Sequence, residues 1–171
     1  MQDDLIYKKI DMTKKIRIAK SKDIPIIADY NIAMAMETEG KILNKEIITA
    51  GVSSIINDNS KGIYWVAEIE EELVGQLMIT YEWSDWRNGT MWWIQSVYVS
   101  KDFRRQGIYT LLYDNLVNLA KKDEDCCGVR LYVEKQNTRA IETYAKLGMH
   151  NAGYEIMAVS YTHLRAHETI P

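Results

Sequence analysis

Cysteine is scarce in this chain: there are two among 171 residues, and Cys126 and Cys127 are adjacent. Immediate neighbours suit neither a disulfide framework nor a zinc knuckle, so both are expected as reduced thiols at the start of a strand. An excess of one charge is missing too. Lys plus Arg is 21 against 24 Asp plus Glu, a formal net charge of −3, which gives no general electrostatic case for a nucleic-acid partner. No apolar run approaches the ~20 residues of a membrane span, and Met1-Gln2-Asp3-Asp4-Leu5 is acidic where a secretory signal would be basic. No membrane partner is expected, and the expected location is the cytoplasm. Internal repeats, low-complexity tracts and interdomain linkers are also absent. What is left is a single domain, long enough to bury a core.

Met1 to Lys14 is charged and aperiodic, a loose lead-in. Ile16 and Ile18 alternate with Lys15 and Arg17 as a short strand. Ser21 or Asp23 can cap a helix that carries Pro25 in its first turn and ends at Glu37-Thr38-Glu39-Gly40. Asn44 opens a second helix, closed by the run Asn57 to Ser60. Gly62 to Glu70 and Leu73 to Trp83 read as two strands joined across Glu70-Glu71-Glu72. Asn88-Gly89 predicts a two-residue type I′ hairpin, because both residues tolerate positive φ, with Thr90 to Val99 returning. Val129 to Val133 is a further strand. It is reached through a helix, so it is expected to run parallel to Thr90 to Val99.

The stretch from Ile94 to Lys122 organises the rest. Val97, Tyr98 and Val99 are β-formers, the turn Arg104-Arg105-Gln106-Gly107-Ile108-Tyr109 follows, and Ile108, Leu112, Leu116 and Leu119 then recur at helical spacing. A helix N-terminus leaves N–H groups unpaired and carries the positive end of its dipole, while glycine lets a phosphate approach the backbone. The turn is therefore a candidate pyrophosphate cradle. The bland alternative is a basic turn before a surface helix.

The spacing R-x-x-G-x-(small) after a strand resembles the acyl-CoA-binding motif of the GNAT superfamily of acetyl-CoA-dependent N-acetyltransferases. Arg104 and Gly107 match it, and Tyr109 stands where the family usually has glycine or alanine. A second stretch, Asn137 to Met149, resembles the family's N-x-x-A-x-x-x-Y-x-x-x-G-(F/M) signature through Asn137, Ala140, Tyr144 and Gly148. Taken alone, that stretch is a helix capped by Asn137 and ended by Gly148.

The resemblance covers roughly Lys15 to Ala158. It implies an α/β fold in the order β-α-α-β-β-β-α-β-α-β, with a mixed, mostly antiparallel sheet flanked by helices on both faces. It further implies that the motif strand and the next parallel strand splay apart, and that acetyl-CoA, a co-substrate, enters between them. Val97, Tyr98 and Val99 would then bond its pantetheine arm, Arg104 to Tyr109 would hold its pyrophosphate, Asn137 would help hold the arm, and Tyr144 would donate a proton to the departing thiolate.

The acceptor implied is an amine, whose proton must be removed before it attacks. The strand position that carries a carboxylate in several family members resembles Gln95, which cannot act as a base. Pairing outward from a two-residue loop puts Glu82 opposite Gln95, making Glu82 the candidate base, with a solvated strand residue as the alternative. Glu37 and Glu39, beside Gly40, are further candidates for gripping a cationic substrate. Trp83, Trp86, Trp92 and Trp93 crowd the hairpin as packing, as a cation–π slot, or as the interface of a homodimer. The expected acceptor is a small-molecule amine. A protein N-terminus or lysine is the second enzymatic reading, and a non-catalytic acyl-CoA-binding module is the rival.

Val159 to Thr169 resembles one reading frame of the transposon-end adapter used in DNA library preparation. The domain is accordingly expected over residues 15–158, with residues 159–171 as a non-native tail and the final strand lost or replaced with it. His163 and His167, four apart, are given no weight as ligands, and no metal is expected.

Overall fold

Two tight antiparallel turns, one two-helix connection and one helical crossover generate the sheet. A computed structural model of the chain describes residues 13–159. The elements run β1 (Lys14–Ile18), α1 (Ile24–Glu39), α2 (Lys45–Ile56), β2 (Ile63–Ile69), β3 (Glu72–Ser84), β4 (Gly89–Val99), α3 (Ile108–Ala120), β5 (Cys126–Leu131) and α4 (Thr138–Lys146). The sheet order is β1-β2-β3-β4-β5. All pairs are antiparallel except β4 with β5, whose parallel pairing requires the α3 crossover. The mixed, mostly antiparallel sheet expected from the sequence is the one found. The tail from residue 160 onward, with His163 and His167, lies outside the described residues, as does the lead-in before Thr13.

Local chemistry sets the helix ends. Asn44 Oδ1 accepts from the Ile47 N–H at 2.9 Å, an N-cap for α2. Gly40 closes α1 at φ 65, a left-handed position that glycine occupies without a Cβ penalty. Asp23 does not cap α1 through its side chain. Its carboxylate is taken by Arg17 and by the Lys20 N–H at 2.7 Å.

The two sheet faces bury different cores. Against α3 lie Trp65, Ala67, Leu77, Ile79, Trp92 and Ile94, packed on Ile108, Leu112 and Leu116. Against α1 and α2 lie Tyr64, Val66 and Met78, with Ile27 and Val52. Gln76 donates to Asn31 at 2.7 Å and Asn31 to the Tyr64 hydroxyl at 2.9 Å, a buried polar link between α1 and the sheet.

The structure corrects four sequence readings. The type I′ turn is not at Asn88-Gly89. It is at Glu70-Glu71, where both φ are positive, at 50 and 70, between the paired residues Ile69 and Glu72. The β3–β4 loop is longer, since Ser84 pairs with Gly89. Gly89 is needed instead because a Cβ there would meet the Asp125 carbonyl at 2.8 Å. As a result Glu82 faces Met91, not Gln95. The parallel strand is Cys126–Leu131 rather than Val129 to Val133. The last strand of the order β-α-α-β-β-β-α-β-α-β is not formed among the described residues, where nothing after α4 is a strand and Tyr154, Ile156 and Met157 are exposed.

Candidate active site

β4 pairs with β5 from Thr90–Cys126 to Ile94–Leu131 and no further. Past Ile94, β4 keeps β3 on one side, Leu77 with Val97 and Gly75 with Val99, and among the described residues nothing pairs with its other edge. A peptide-like arm can bond to such an open edge as an added strand does. At the point of separation β4 bulges. Leu77 pairs with Val97 and Ile79 with Ile94, so Met78 alone spans Gln95 and Ser96. Gln95 Nε2 reaches Thr80 Oγ1 at 3.1 Å and Ser96 reaches the Tyr64 hydroxyl, so both turn to the α1 face. Val97 and Val99 then pack on the α3 face.

The open edge runs into the cradle. Arg105 (φ 64) and Gly107 (φ 76) are both left-handed, a backbone path that curls successive N–H groups around a point. The N–H groups of Arg105, Gln106 and Gly107 meet no acceptor among the described residues. Nothing lies within 4 Å of where a Gly107 Cβ would stand. Gly107 then caps α3, whose first turn adds unpaired donors. These features fit a diphosphate. Lys14, read from the sequence as lead-in, places Nζ 2.6 Å from the Gln106 carbonyl and adds a cation beside the turn. No local sequence signal could have revealed a contact made across the sheet.

Arg104 itself is turned aside. Its Nη2 donates to Glu37 Oε2 at 2.8 Å, its Nε to the Val99 carbonyl at 2.9 Å, and its guanidinium lies 5.2 Å from the Tyr98 ring centroid. Glu37 also accepts from the Tyr98 hydroxyl at 3.0 Å and lies 3.4 Å from Lys101 Nζ. Partial burial alone would raise the Glu37 pKa, but the bonds from Arg104 and Tyr98 outweigh it and hold the carboxyl below its ordinary value. Glu37 is thus a brace, not a free carboxylate awaiting a cationic substrate. Glu39 is exposed and paired with Lys41 at 2.7 Å. The Tyr98 side chain is part of this brace and is buried against Tyr30, with ring centroids 4.9 Å apart.

Asn137 Oδ1 accepts from the Ala140 N–H at 3.2 Å and starts α4; Gly148 follows the helix at φ 87. Ala140, Tyr144 and Leu147 form the inward face of this short helix. The Tyr144 ring sits edge-on to Tyr109, with centroids 6.0 Å apart, and burial pushes its pKa up. A phenol held neutral in this way keeps its proton available. Tyr109 therefore points toward α4 and away from the cradle backbone.

Glu82 lies on the α1 face of β3. It accepts from Trp93 Nε1 at 2.5 Å and lies 3.6 Å from Arg130. Trp93 stacks on Tyr132 with centroids 4.4 Å apart. The tryptophans divide: Trp92 is core, while Trp83 and Trp86 are exposed. Arg130 and Tyr132 were not singled out in the sequence, because only the β5 pairing brings them to Trp93. Among the described residues, no group of His, Cys, Asp and Glu gathers to hold a metal, and no helix is long and apolar enough to cross a membrane.

A split sheet edge, a glycine cradle and a tyrosine across from them are the features of an acyl-CoA site, and the family comparison agrees. The chain belongs to the acetyltransferase (GNAT) family, whose profile matches residues 32–149, and it is an acetyl-CoA-dependent acetyltransferase. It is similar to the crystal structure of a possible acetyltransferase from Clostridium difficile 630, at 45% identity and TM-score 0.84 over 88% of this chain and 99% of that one. A predicted acetyltransferase from Clostridium acetobutylicum, solved with acetyl-CoA, shares the fold at 21% identity and TM-score 0.71, over 86% of this chain and 96% of that one. An aminoglycoside acetyltransferase from an uncultured soil metagenomic sample does so at 20% and 0.65, over 87% and 100%. No curated protein sequence matches the chain.

Proposed function

We propose that the protein transfers the acetyl group of acetyl-CoA to the primary amine of a small molecule, by direct attack with both substrates bound. The observation that carries this reading is the end of β4–β5 pairing at Ile94–Leu131, beside the open turn at Gly107. Val97, Tyr98 and Val99 offer the backbone for the pantetheine arm, the N–H groups from Arg105 to Ile108 offer donors for the diphosphate, and Asn137 caps the helix that flanks the arm. Tyr144, on the α3 side of the split, protonates the thiolate as the C–S bond breaks. α3 and α4 close that side, so the amine approaches from the α1 face, toward which Gln95, Thr80, Glu82 and Trp93 point.

Glu82 takes the amine proton through water in this scheme, since Gln95 cannot. Arg130 lies over the Trp93 ring, 5.8 Å from its centroid, and beside Glu82, so a cationic acceptor would replace Arg130 at this carboxylate. A small-molecule acceptor is supported by the neighbour described as an aminoglycoside acetyltransferase.

The test is a panel of amines scored by release of CoA thiol. Amine-dependent release that falls at least about tenfold in Tyr144→Phe is expected. Acetyl-CoA binding with no thiol release across the panel would make the chain a binding module instead.

A further inference from the structure

Among the described residues, three arginines stand within ion-pair distance of a carboxylate, and one is held differently. Arg17 donates to Asp23 at 2.6 Å and Arg104 to Glu37 at 2.8 Å. Arg130 Nη1 lies 3.6 Å from Glu82 Oε1, too far for a hydrogen bond, and no second carboxylate among the described residues pairs with it. Its guanidinium rests over the Trp93 ring. Trp93 and Arg130 face each other across β4 and β5, one residue before the pairing stops at Ile94–Leu131. The charge therefore stands beside the mouth of the split, on the α1 face. Glu82 accepts from Trp93 Nε1 through Oε2, which leaves Oε1 for Arg130. The Glu82 side chain is 49% exposed and that of Arg130 25%, so a ligand can reach both. A loose pair open to solvent contributes little to stability and is cheaply exchanged.

We propose that the acceptor is an amine carrying a carboxylate close to its nitrogen, of the α-amino acid kind, and that Arg130 selects it. The ammonium group takes Glu82 and the carboxylate takes Arg130, each replacing the other's partner. This rests on the reading of the α1 face as the acceptor side. A purely cationic amine at Glu82 displaces Arg130 and leaves two like charges side by side, which costs affinity. An aminocarboxylate brings its own anion, so both charges of the site stay paired. A guanidinium offers a planar fork that matches a carboxylate through two parallel N–H···O bonds, and the 3.6 Å contact with Glu82 leaves that fork unused. Contact with Trp93 restrains the fork before the ligand arrives, which lowers the cost of ordering it. An α-amino acid carries both groups on one carbon, a span that suits two protein groups 3.6 Å apart. With Arg130 drawn to the substrate, Glu82 is left to the amine alone, as taking its proton requires.

The experiment compares the wild type, Arg130→Gln and Arg130→Lys as full chains on the common α-amino acids, each set against its own carboxamide, by release of CoA thiol. The amide keeps the side chain and removes the anion. Its amine is also less basic, so more of it is free at neutral pH, which works against the expected result. The wild type should prefer at least one acid to its amide by about tenfold or more in kcat/KM. Arg130→Gln should bring that ratio to within about twofold, lowering the acid through its KM and raising the amide, with the acetyl-CoA KM within about twofold. Arg130→Lys should keep part of the preference, as a charge without the fork. Amides accepted as well as their acids by the wild type, or a preference that survives Arg130→Gln, would overturn the proposal. A second readout needs no turnover. Added with CoA, at least one of the acids should raise the melting temperature of the wild type and not that of Arg130→Gln. Such a shift in a chain that releases no thiol would retain the carboxylate site and dismiss the acetyl-transfer reading, while no shift with any acid sinks the site.

Discussion

Arg104 Nη2 and Glu37 Oε2 stand 2.8 Å apart, and this bond joins the last turn of α1 to the turn that opens α3. Tyr98 lies beneath both, bonded to Glu37 and stacked under the guanidinium. Cutting the brace should loosen the cradle without unfolding the protein. For so exposed a pair, Glu37→Ala is expected to cost no more than about 1 kcal/mol in a denaturant melt. It should raise the acetyl-CoA KM about fivefold through lost preorganisation, with Glu37→Gln intermediate. An unchanged KM in Glu37→Ala would show that the brace is structural only.

Gly107 and Gly40 allow a matched comparison. Both are left-handed, at φ 76 and 65, and neither has an atom within 4 Å of an added Cβ. Alanine at either site should cost about 1–2 kcal/mol. Only Gly107→Ala puts a methyl where a diphosphate approaches the backbone, so it alone should raise the acetyl-CoA KM, by about tenfold or more. Equal KM values in the two variants would remove the cradle.

Glu82→Gln should slow turnover at neutral pH and recover as the pH rises and the amine deprotonates unaided. Steady-state rates across pH decide this. A profile parallel to that of the wild type would take Glu82 out of the proton path.

Arg17 holds Asp23 and Glu68 together, bonded to Asp23 Oδ2 at 2.6 Å and to Glu68 Oε1. For Asp23 burial alone would raise the pKa, but the bond from Arg17 and the Lys20 N–H outweigh it; for Glu68 the Arg17 bond comes first, and both carboxyls sit below their ordinary values. The unfolded chain therefore binds more protons in acid. Stability from this cluster is full above the unfolded values, near pH ~4, and is lost as pH falls through the lower folded ones. Arg17→Gln should cost roughly 3 kcal/mol at neutral pH by leaving Asp23 buried and unpaired. Its penalty should shrink as the pH is lowered, because protonation then relieves Asp23. Chemical denaturation at several pH values measures this, and a penalty constant with pH would contradict it.

Features that depend on a few consecutive residues were legible in the sequence. Asn44 and Asn137 cap the helices they were expected to cap, Gly40 ends α1 as expected, and Gly148, expected to end α4, follows it at a left-handed φ of 87. Strand register was not legible, because it is set by partners far along the chain. The β2–β3 connection was expected across Glu70 to Glu72, but its two-residue turn at Glu70-Glu71 carries no glycine or asparagine signal, and the bulge at Ala67/Glu68 that fits this turn to the register of the strand bodies was not legible. The Asn88-Gly89 signal was read as a turn when Gly89 answers to the Asp125 carbonyl. The Glu37–Arg104 brace spans 67 residues, so Glu37 looked free. Tyr109 was seen as an exception to a motif, but only the packing of α4 on α3 showed that its ring lies against Tyr144.

The bulge at Gln95 and Ser96 reverses the parity of β4 midway. Odd-numbered residues address the α1 face before it, and even-numbered ones after it. Deleting either bulge residue would roll the remaining strand over, presenting Val97 and Val99 to the α1 face and forcing Tyr98 into the α3 core. The strand can therefore accept many side-chain changes, but its length is fixed.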